Sequence, residues 1–308
     1  MAKTIVATGT SSGLGFEAVK QLLSQQETDY NFILGVQNTT TAQTAFEKLP
    51  YNREKHTITL LPLELTDLRT VKKFAARVLQ LLDTKPIDIL LLNAALVKTA
   101  DEPRTNDSRY NEPFLVNHLS QHYLLHLLRP RLTNSHTRII FVSSGSLSSF
   151  KDTASLDSLV KAPSPHGFFE IYPATKFIQL LSAHWWRREL EGKCTVLAVS
   201  PDSLYGLEVD GPNEFRCTGF IPTTGLSRNV DLVVPPSVMK DAKTIEEGAS
   251  SILTAFTRTD LPDDVEQIFL TSWGEWWPKD RFGLTLDRAL QDEWAFERER
   301  IEREEGVE

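Results

Sequence analysis

Residues 3–23 read KTIVATGTSSGLGFEAVKQLL. Thr4–Ala7 is short, β-rich and apolar, and Leu14, Ala18, Leu22 and Leu23 then recur on one helical face. Between them stands Thr8-Gly9-Thr10-Ser11-Ser12-Gly13-Leu14-Gly15, so a strand turns into a helix through glycines. Glycines in that place permit a tight turn, let backbone approach a pyrophosphate, and let the helix pack on the strand. The helix offers unpaired N–H groups and the positive end of its dipole to an anion. The spacing is Gly-x3-Gly-x-Gly rather than Gly-x-Gly-x2-Gly, and by itself any strand-to-helix turn can carry it.

The same alternation continues along the chain. β-rich runs recur at Phe32–Val36, Ile58–Leu63, Ile87–Leu92, Arg138–Val142, Thr195–Val199 and Gln267–Thr271. Helical spacing fills the gaps, as in Val71, Phe74, Ala75, Val78 and Leu82, and in the runs Phe114–Leu128 and Tyr172–Leu190. Strands alternating with helices predict βαβ units and a parallel α/β sheet. Continuously apolar cores such as IDILLL and RIIFV suit strands buried on both faces. The rhythm breaks twice, at about 145–171 and about 202–241, both directly after strands, where open α/β sheets hold ligands. The end of the chain is strongly charged (ERERIEREE) and reads as a solvated terminal helix at about 282–305.

With 41% hydrophobic and 24% charged residues, the 308-residue chain has the balance of a folded protein rather than a disordered one. A net charge of −8 argues against a nucleic acid or an anionic membrane as partner. No run approaches the ~18 apolar residues of a membrane span, and the N-terminus shows no signal-peptide pattern. Two cysteines make neither a disulfide framework nor a four-thiolate zinc site. Cys194 reads as a buried thiol and Cys217 as a loop residue, both reduced in a cytoplasmic setting. His118 and His122 share a helix face, but no acidic third ligand joins them or His166. They are read as helix packing, with no metal.

Further motifs follow in order. The fourth strand ends in Asn93-Ala94-Ala95, Asn117 lies in the next helix, and the fifth strand ends in Val142-Ser143-Ser144-Gly145. Tyr172 and Lys176 then open a helix, four apart and on one face. A Lys ammonium near a phenol favours the phenolate. Such a Tyr can exchange a proton with a carbonyl or alcohol oxygen that a nearby Ser holds.

In this order the motifs resemble the short-chain dehydrogenase/reductase family over about residues 3–201, and the long insertions resemble its retinol dehydrogenase and protochlorophyllide reductase-like branch. The resemblance implies a Rossmann fold, a doubly wound parallel seven-stranded sheet with helices on both faces, as a single NAD(P)-binding domain over 1–308. It implies Tyr172 as general acid/base, Ser144 as the group orienting the carbonyl, Lys176 as the partner that lowers the Tyr pKa and holds the ribose, and Asn117 as anchor of a proton-passing water. It also implies cofactor contacts at Gly9, Thr10, Ser11, Ser12, Gly13, Leu14 and Gly15, at Gln37 and Asn38, at Glu64 and Leu65, at Asn93, Ala94 and Ala95, and at Pro201, Ser203 and Leu204. Substrate contacts are expected at Ser144, Phe150 and Tyr205.

The chain departs from the family's pattern in places. Asn-Asn-Ala-Gly becomes Leu92-Asn93-Ala94-Ala95, Pro-Gly becomes Pro201-Asp202, and a usual Thr becomes Gly206. Asp202 is open to two readings, a substrate contact or, the favoured one, a solvated loop side chain. No acidic residue stands at Val36 or Gln37 to bind a ribose 2′-hydroxyl, so NADP is expected over NAD, although the run Gln37–Thr41 supplies no cation. The aromatics of the insertions, Phe150, Phe168, Phe169, Tyr205, Phe215 and Phe220, suit either a pocket for a bulky apolar substrate or ordinary packing. Trp185 and Trp186 suit either a homodimer interface on the Tyr172 helix or the core. Trp273, Trp276 and Trp277 either pin the C-terminal segment or form an interaction surface. The leading expectation is an NADP(H)-dependent ketone reductase or alcohol dehydrogenase, with secondary metabolism as an analogy from the unusual loops. A non-redox NADP-binding enzyme (isomerase, dehydratase or cyclase) and a cofactor-sensing binding protein are the alternatives.

Overall fold

The computed structural model describes residues 2–100, 108–202, 221–222, 224–226, 228–230 and 242–307. Seven strands, β1 (Lys3–Thr8), β2 (Tyr30–Val36), β3 (His56–Pro62), β4 (Ile89–Leu92), β5 (Arg138–Val142), β6 (Thr195–Val199) and β7 (Phe269–Leu270), form one sheet in the order β3-β2-β1-β4-β5-β6-β7. Every pairing is parallel. A parallel pair needs a crossover, and helices supply them: α1 (Gly13–Leu23), α2 (Thr39–Glu47), α3 (Leu68–Leu82), α4 (Ser120–Ser135), α5 (Phe168–Glu189) and α6 (Ile245–Thr257). Side chains alternate across a strand, so the sheet feeds two cores. Ile5, Ala7, Phe32, Leu34, Ile140 and Val142 pack under α1, α2 and α6. Val6, Ile33, Leu90, Leu92, Ile139 and Phe141 pack under α3, α4 and α5. The doubly wound parallel sheet expected from the sequence is the observed fold.

Three elements differ from the sequence expectation. Residues 145–171 are no open loop: they hold 3-10 turns at Gly145–Ser149 and Thr153–Ser155 and a short helix, Leu156–Val160, whose Leu156, Leu159 and Val160 are buried. Tyr172 does not open α5, which starts at Phe168, where the Glu170 carboxylate accepts the Gly167 N–H at 3.2 Å. The charged terminal segment is two helices rather than one, α7 (Arg288–Trp294) and α8 (Arg298–Glu304), separated at Ala295-Phe296-Glu297. Nor is it solvated along its length, since Trp294, Ala295, Phe296, Ile301 and Val307 are buried. Its charges reach back to the body: Tyr123 Oη donates to Glu302 at 2.7 Å, and Arg109 pairs with Glu304 at 2.7 Å. Arg298 and Arg300 pair with Glu302 and Glu304 at i, i+4, while Ile301 between them is buried.

That docking decides the fate of several aromatics and histidines. Trp185 and Trp186 are buried within the chain, so of their two readings the structure takes the core. Trp186 Nε1–H donates to His122 Nδ1 at 3.0 Å, and Ser182 Oγ lies 2.7 Å from the same nitrogen. These partners leave the His122 proton on Nε2, which faces the Phe296 carbonyl at 3.0 Å. His118, His122 and His126 are packing residues, and among the described residues no group of three metal-ligating side chains is arranged to hold an ion. Trp277 stacks on Phe269 in the core, whereas Trp273 is exposed under the Lys243 ammonium. Cys194 is a buried free thiol, and Cys217 lies outside the described residues. No helix among the described residues is long and apolar enough to cross a membrane.

Candidate active site

The strand order reverses between β1 and β4, and the crevice beyond their carboxyl ends is where ligands bind in such sheets. A cleft of about 680 Å³ opens there. Its floor is the glycine turn. Gly9 has φ +66°, and a Cβ on it would lie 2.6 Å from Ala94 Cα, while a Cβ on Gly15 would collide with the Gly9 carbonyl. Asn93 Nδ2 donates to the Gly9 carbonyl at 2.8 Å, and Thr8 Oγ1 accepts the N–H groups of Asn93 and Ala94, each at 3.2 Å. These bonds lock the β1 turn to the end of β4 and leave its backbone bare toward the cleft.

Ser144, Tyr172 and Lys176 line the same cleft. The ends of β5 and of the 3-10 turn fix Ser144, whose Oγ accepts the Ser146 N–H at 3.2 Å. Lys176 is buried, and its Nζ donates to the Val142 carbonyl at 2.9 Å and to Gln179 Oε1 at 3.3 Å. That nitrogen lies 5.8 Å from the Tyr172 ring centre. Burial pulls the Lys176 ammonium down to about 7, and the charge of Asp202 opposes the fall. Asp202 overturns the favoured reading of a solvated loop side chain. It lines the cleft and accepts the Ser144 hydroxyl at 3.0 Å and the Ser200 hydroxyl at 2.6 Å.

Asn117 is not among the residues lining the cleft. It sits in a π-helical turn, Leu115–Leu119, ahead of α4, and such turns recur at functional sites. Its amide is spent: Oδ1 accepts the Leu96 N–H at 2.6 Å, and Nδ2 donates to the Leu96 carbonyl and to Thr175 Oγ1, both at 2.9 Å. The Asn117 carbonyl accepts Gln179 Nε2 at 3.0 Å. Gln179 therefore bridges Asn117 to Lys176, where the sequence reading places a water. One turn beyond Lys176 on a buried helix, Gln179 carries no motif that marks it in the sequence.

The other expected contacts divide. Gly9, Ser11, Ser12, Gly13, Leu14, Gln37, Glu64, Leu65, Asn93, Ala94, Ala95 and Pro201 line the cleft. Thr10, Gly15 and Asn38 do not: Thr10 is fully buried, Gly15 packs the helix on the turn, and Asn38 caps α2 by accepting the Thr41 N–H at 2.9 Å. Phe150 is not on the cleft wall either, because its ring packs on Phe177, 5.0 Å between centres. Ser203, Leu204, Gly206, Tyr205, Phe215 and Phe220 lie outside the described residues. Residues that the motifs did not mark also line the cleft, among them Val97, Thr224, Leu226 and Arg228. Thr224 reaches the glycine turn, its carbonyl 2.7 Å from where a Gly13 Cβ would stand. Arg228 and Lys176 are the two cations among the described lining residues.

The residues fit a dinucleotide. The turn offers backbone without side chains, α1 begins at Gly13 facing the cleft, and the buried hydroxyls of Ser143 and Ser146, on the cleft wall, have no hydrogen-bond partner among the described residues. At the far end Gln37 Nε2 donates to Glu64 Oε2 at 2.9 Å, while Glu64 Oε1 accepts from the Thr66 N–H and hydroxyl.

The family model for the short chain dehydrogenase matches residues 3–154. A short-chain dehydrogenase/reductase of Pestalotiopsis microspora is 48% identical over 304 residues, covering 98% of this chain and 98% of that protein. Retinol dehydrogenase 13 of Homo sapiens is 27% identical over 143 residues, 46% of this chain and 41% of that protein. Among solved structures, the NADPH-bound carbonyl reductase from chicken fatty liver superposes with a TM-score of 0.62 at 19% identity, covering 90% of this chain and 98% of that one.

Proposed function

The chain belongs to the short-chain dehydrogenase/reductase family, whose members are NAD(P)-dependent oxidoreductases, and from that premise we propose that it is an NADP(H)-dependent ketone reductase or alcohol dehydrogenase acting on a bulky apolar small molecule. One observation carries the proposal: Ser144, Tyr172 and Lys176 face the cleft whose floor is the glycine turn. When bound, the nicotinamide supplies or accepts the hydride. Tyr172 gives the carbonyl oxygen its proton, or takes the alcohol proton in reverse. The Lys176 ammonium, held by the Val142 carbonyl, stabilises the phenolate that remains. Ser144, in the same cleft, orients the substrate.

Size and polarity of the substrate are read from the walls. Phe168 and Phe169 line the cleft with their rings tilted against each other, 4.1 Å between centres, and Phe169 is 48% exposed. Leu96, Val97, Val116 and Leu226 continue an apolar wall. The same apolar walls and insertions suit secondary metabolism, which is part of the proposal, and the unpaired thiol suits a cytoplasmic setting. For the cofactor, the absence of an acid at Gln37 and the presence of Arg228 favour a 2′-phosphate. Glu64 favours NAD by its charge, but Gln37 and Thr66 occupy its oxygens.

Titration with NADPH and NADH, followed by a ketone panel read at the nicotinamide absorbance, tests this reading. NADPH is expected to bind more tightly and to be consumed stoichiometrically. Tyr172→Phe is expected to lower kcat by about 10²–10⁴-fold while cofactor binding persists. Retained turnover in that variant removes the assignment.

A further inference from the structure

Asp202 stands three residues past the end of β6 at Val199 and ties two serines to one carboxylate. Ser144 Oγ donates to Oδ2 at 3.0 Å, and Ser200 Oγ donates to Oδ1 at 2.6 Å and also lies 2.5 Å from the Asp202 carbonyl. Ser200 is itself held, because its Oγ accepts the Gly145 N–H at 2.8 Å. A serine hydroxyl has one proton and two lone pairs, and a carboxylate only accepts. Ser144 spends its proton on Asp202 and one lone pair on the Ser146 N–H. What it can still present to the cleft is the second lone pair.

We propose that Asp202 is a specificity-determining residue that turns Ser144 into a hydrogen-bond acceptor, so that the site selects carbonyl compounds bearing a hydroxyl donor next to the reacting carbon. The inference rests on the reductase reading and adds the substrate's second polar group to it. Tyr172 remains the proton donor to the carbonyl oxygen, and the neighbouring hydroxyl takes no part in the bond changes. It fills the Ser144 lone pair, which a plain ketone leaves facing carbon. A site built to pair a hydroxyl discriminates strongly against the analogue lacking it, because its own polar group is then left unpaired.

The test compares 1-tetralone with 2-hydroxy-1-tetralone, which differ by one hydroxyl, on the wild-type protein and on Asp202→Asn with NADPH. The wild type is expected to prefer the hydroxylated ketone in kcat/KM by at least about tenfold, mostly through KM. Asn at this position keeps the shape but offers N–H to Ser144, which frees the serine proton, so the preference is expected to fall below about twofold. Equal kcat/KM for the two ketones in the wild type overturns the inference, and needs no folded variant. So does a variant that loses both activities in proportion, as a merely structural role would give. If neither ketone is consumed, the reductase reading fails separately. Calorimetric binding of 1-tetralol and its 1,2-diol in the presence of NADP⁺ then decides: tighter binding of the diol by the wild type alone supports the role of Asp202, and equal or absent binding overturns it.

Discussion

At the scale of single residues, two buried or cleft side chains outside the motifs matter most. Gln179 is 1% exposed and joins the Lys176 ammonium to the Asn117 carbonyl. Replacing it with Leu leaves a buried cation and a buried carbonyl each one partner short, at about 1–3 kcal/mol apiece. Gln179→Leu is therefore expected to lower the urea unfolding free energy by ~2–6 kcal/mol. A loss under ~1 kcal/mol would mean that the bridge contributes little. Arg228 is, with Lys176, one of two cations among the described residues lining the cleft, and the proposed NADP preference assigns it the 2′-phosphate. Arg228→Ala is expected to weaken NADPH binding by roughly tenfold and to leave NADH binding within about twofold. Fluorescence titration of both cofactors measures this, and equal losses for the two would place Arg228 elsewhere along the cofactor.

At the scale of elements, the glycine turn and the terminal helices act through packing. Gly9→Ala puts a methyl group against Ala94 Cα at a φ of +66°, so the β1 turn must open away from β4. Loss of detectable cofactor binding, with a lowered Tm, is the expected result. The terminal helices α7 and α8 dock through Trp294 and Phe296, whose rings face Phe114. Phe296→Ala is expected to cost ~3–5 kcal/mol of folding stability, as truncation of a buried phenylalanine does, and denaturant unfolding reads it directly. The helical alternation and the apolar strand cores made the sheet legible in the sequence, because periodicity reports burial. The C-terminal segment was not legible in that way. Its arginines and glutamates dominate the composition, while the burying face consists of a few residues such as Ile301 and Phe296.

At the scale of the whole molecule, burial favours the neutral form of His118, His122 and His126. Burial lowers His118 to about 3 and His126 to about 4, and pushes His122 well below its ordinary value. Because their folded-state pKa lies below that of the unfolded chain, the unfolded state binds more protons between the two values. Their contribution to stability is thus complete above pH ~6.5 and is lost as pH falls toward about 4 and below, at ~1.4 kcal/mol per pH unit for each histidine. Unfolding midpoints measured from pH 7 to pH 4 are expected to fall steeply, and His126→Gln is expected to flatten that slope. A pH-independent midpoint over this range would show that these rings titrate alike in both states. By itself the sequence determined the alternating parallel fold and the glycine turn, because local patterns of burial, turn and strand end are written in neighbouring residues; Ser144, Tyr172 and Lys176 were named through the family resemblance, and the structure places all three on one cleft. Only the tertiary structure decided that Asp202 holds Ser144, that Gln179 links Lys176 to Asn117, that Arg228 lines the cleft and that Trp186 is buried against His122. Each of these depends on residues far apart in the chain meeting at a few ångströms, and hydrogen-bond partnership at that range leaves no local periodicity to read.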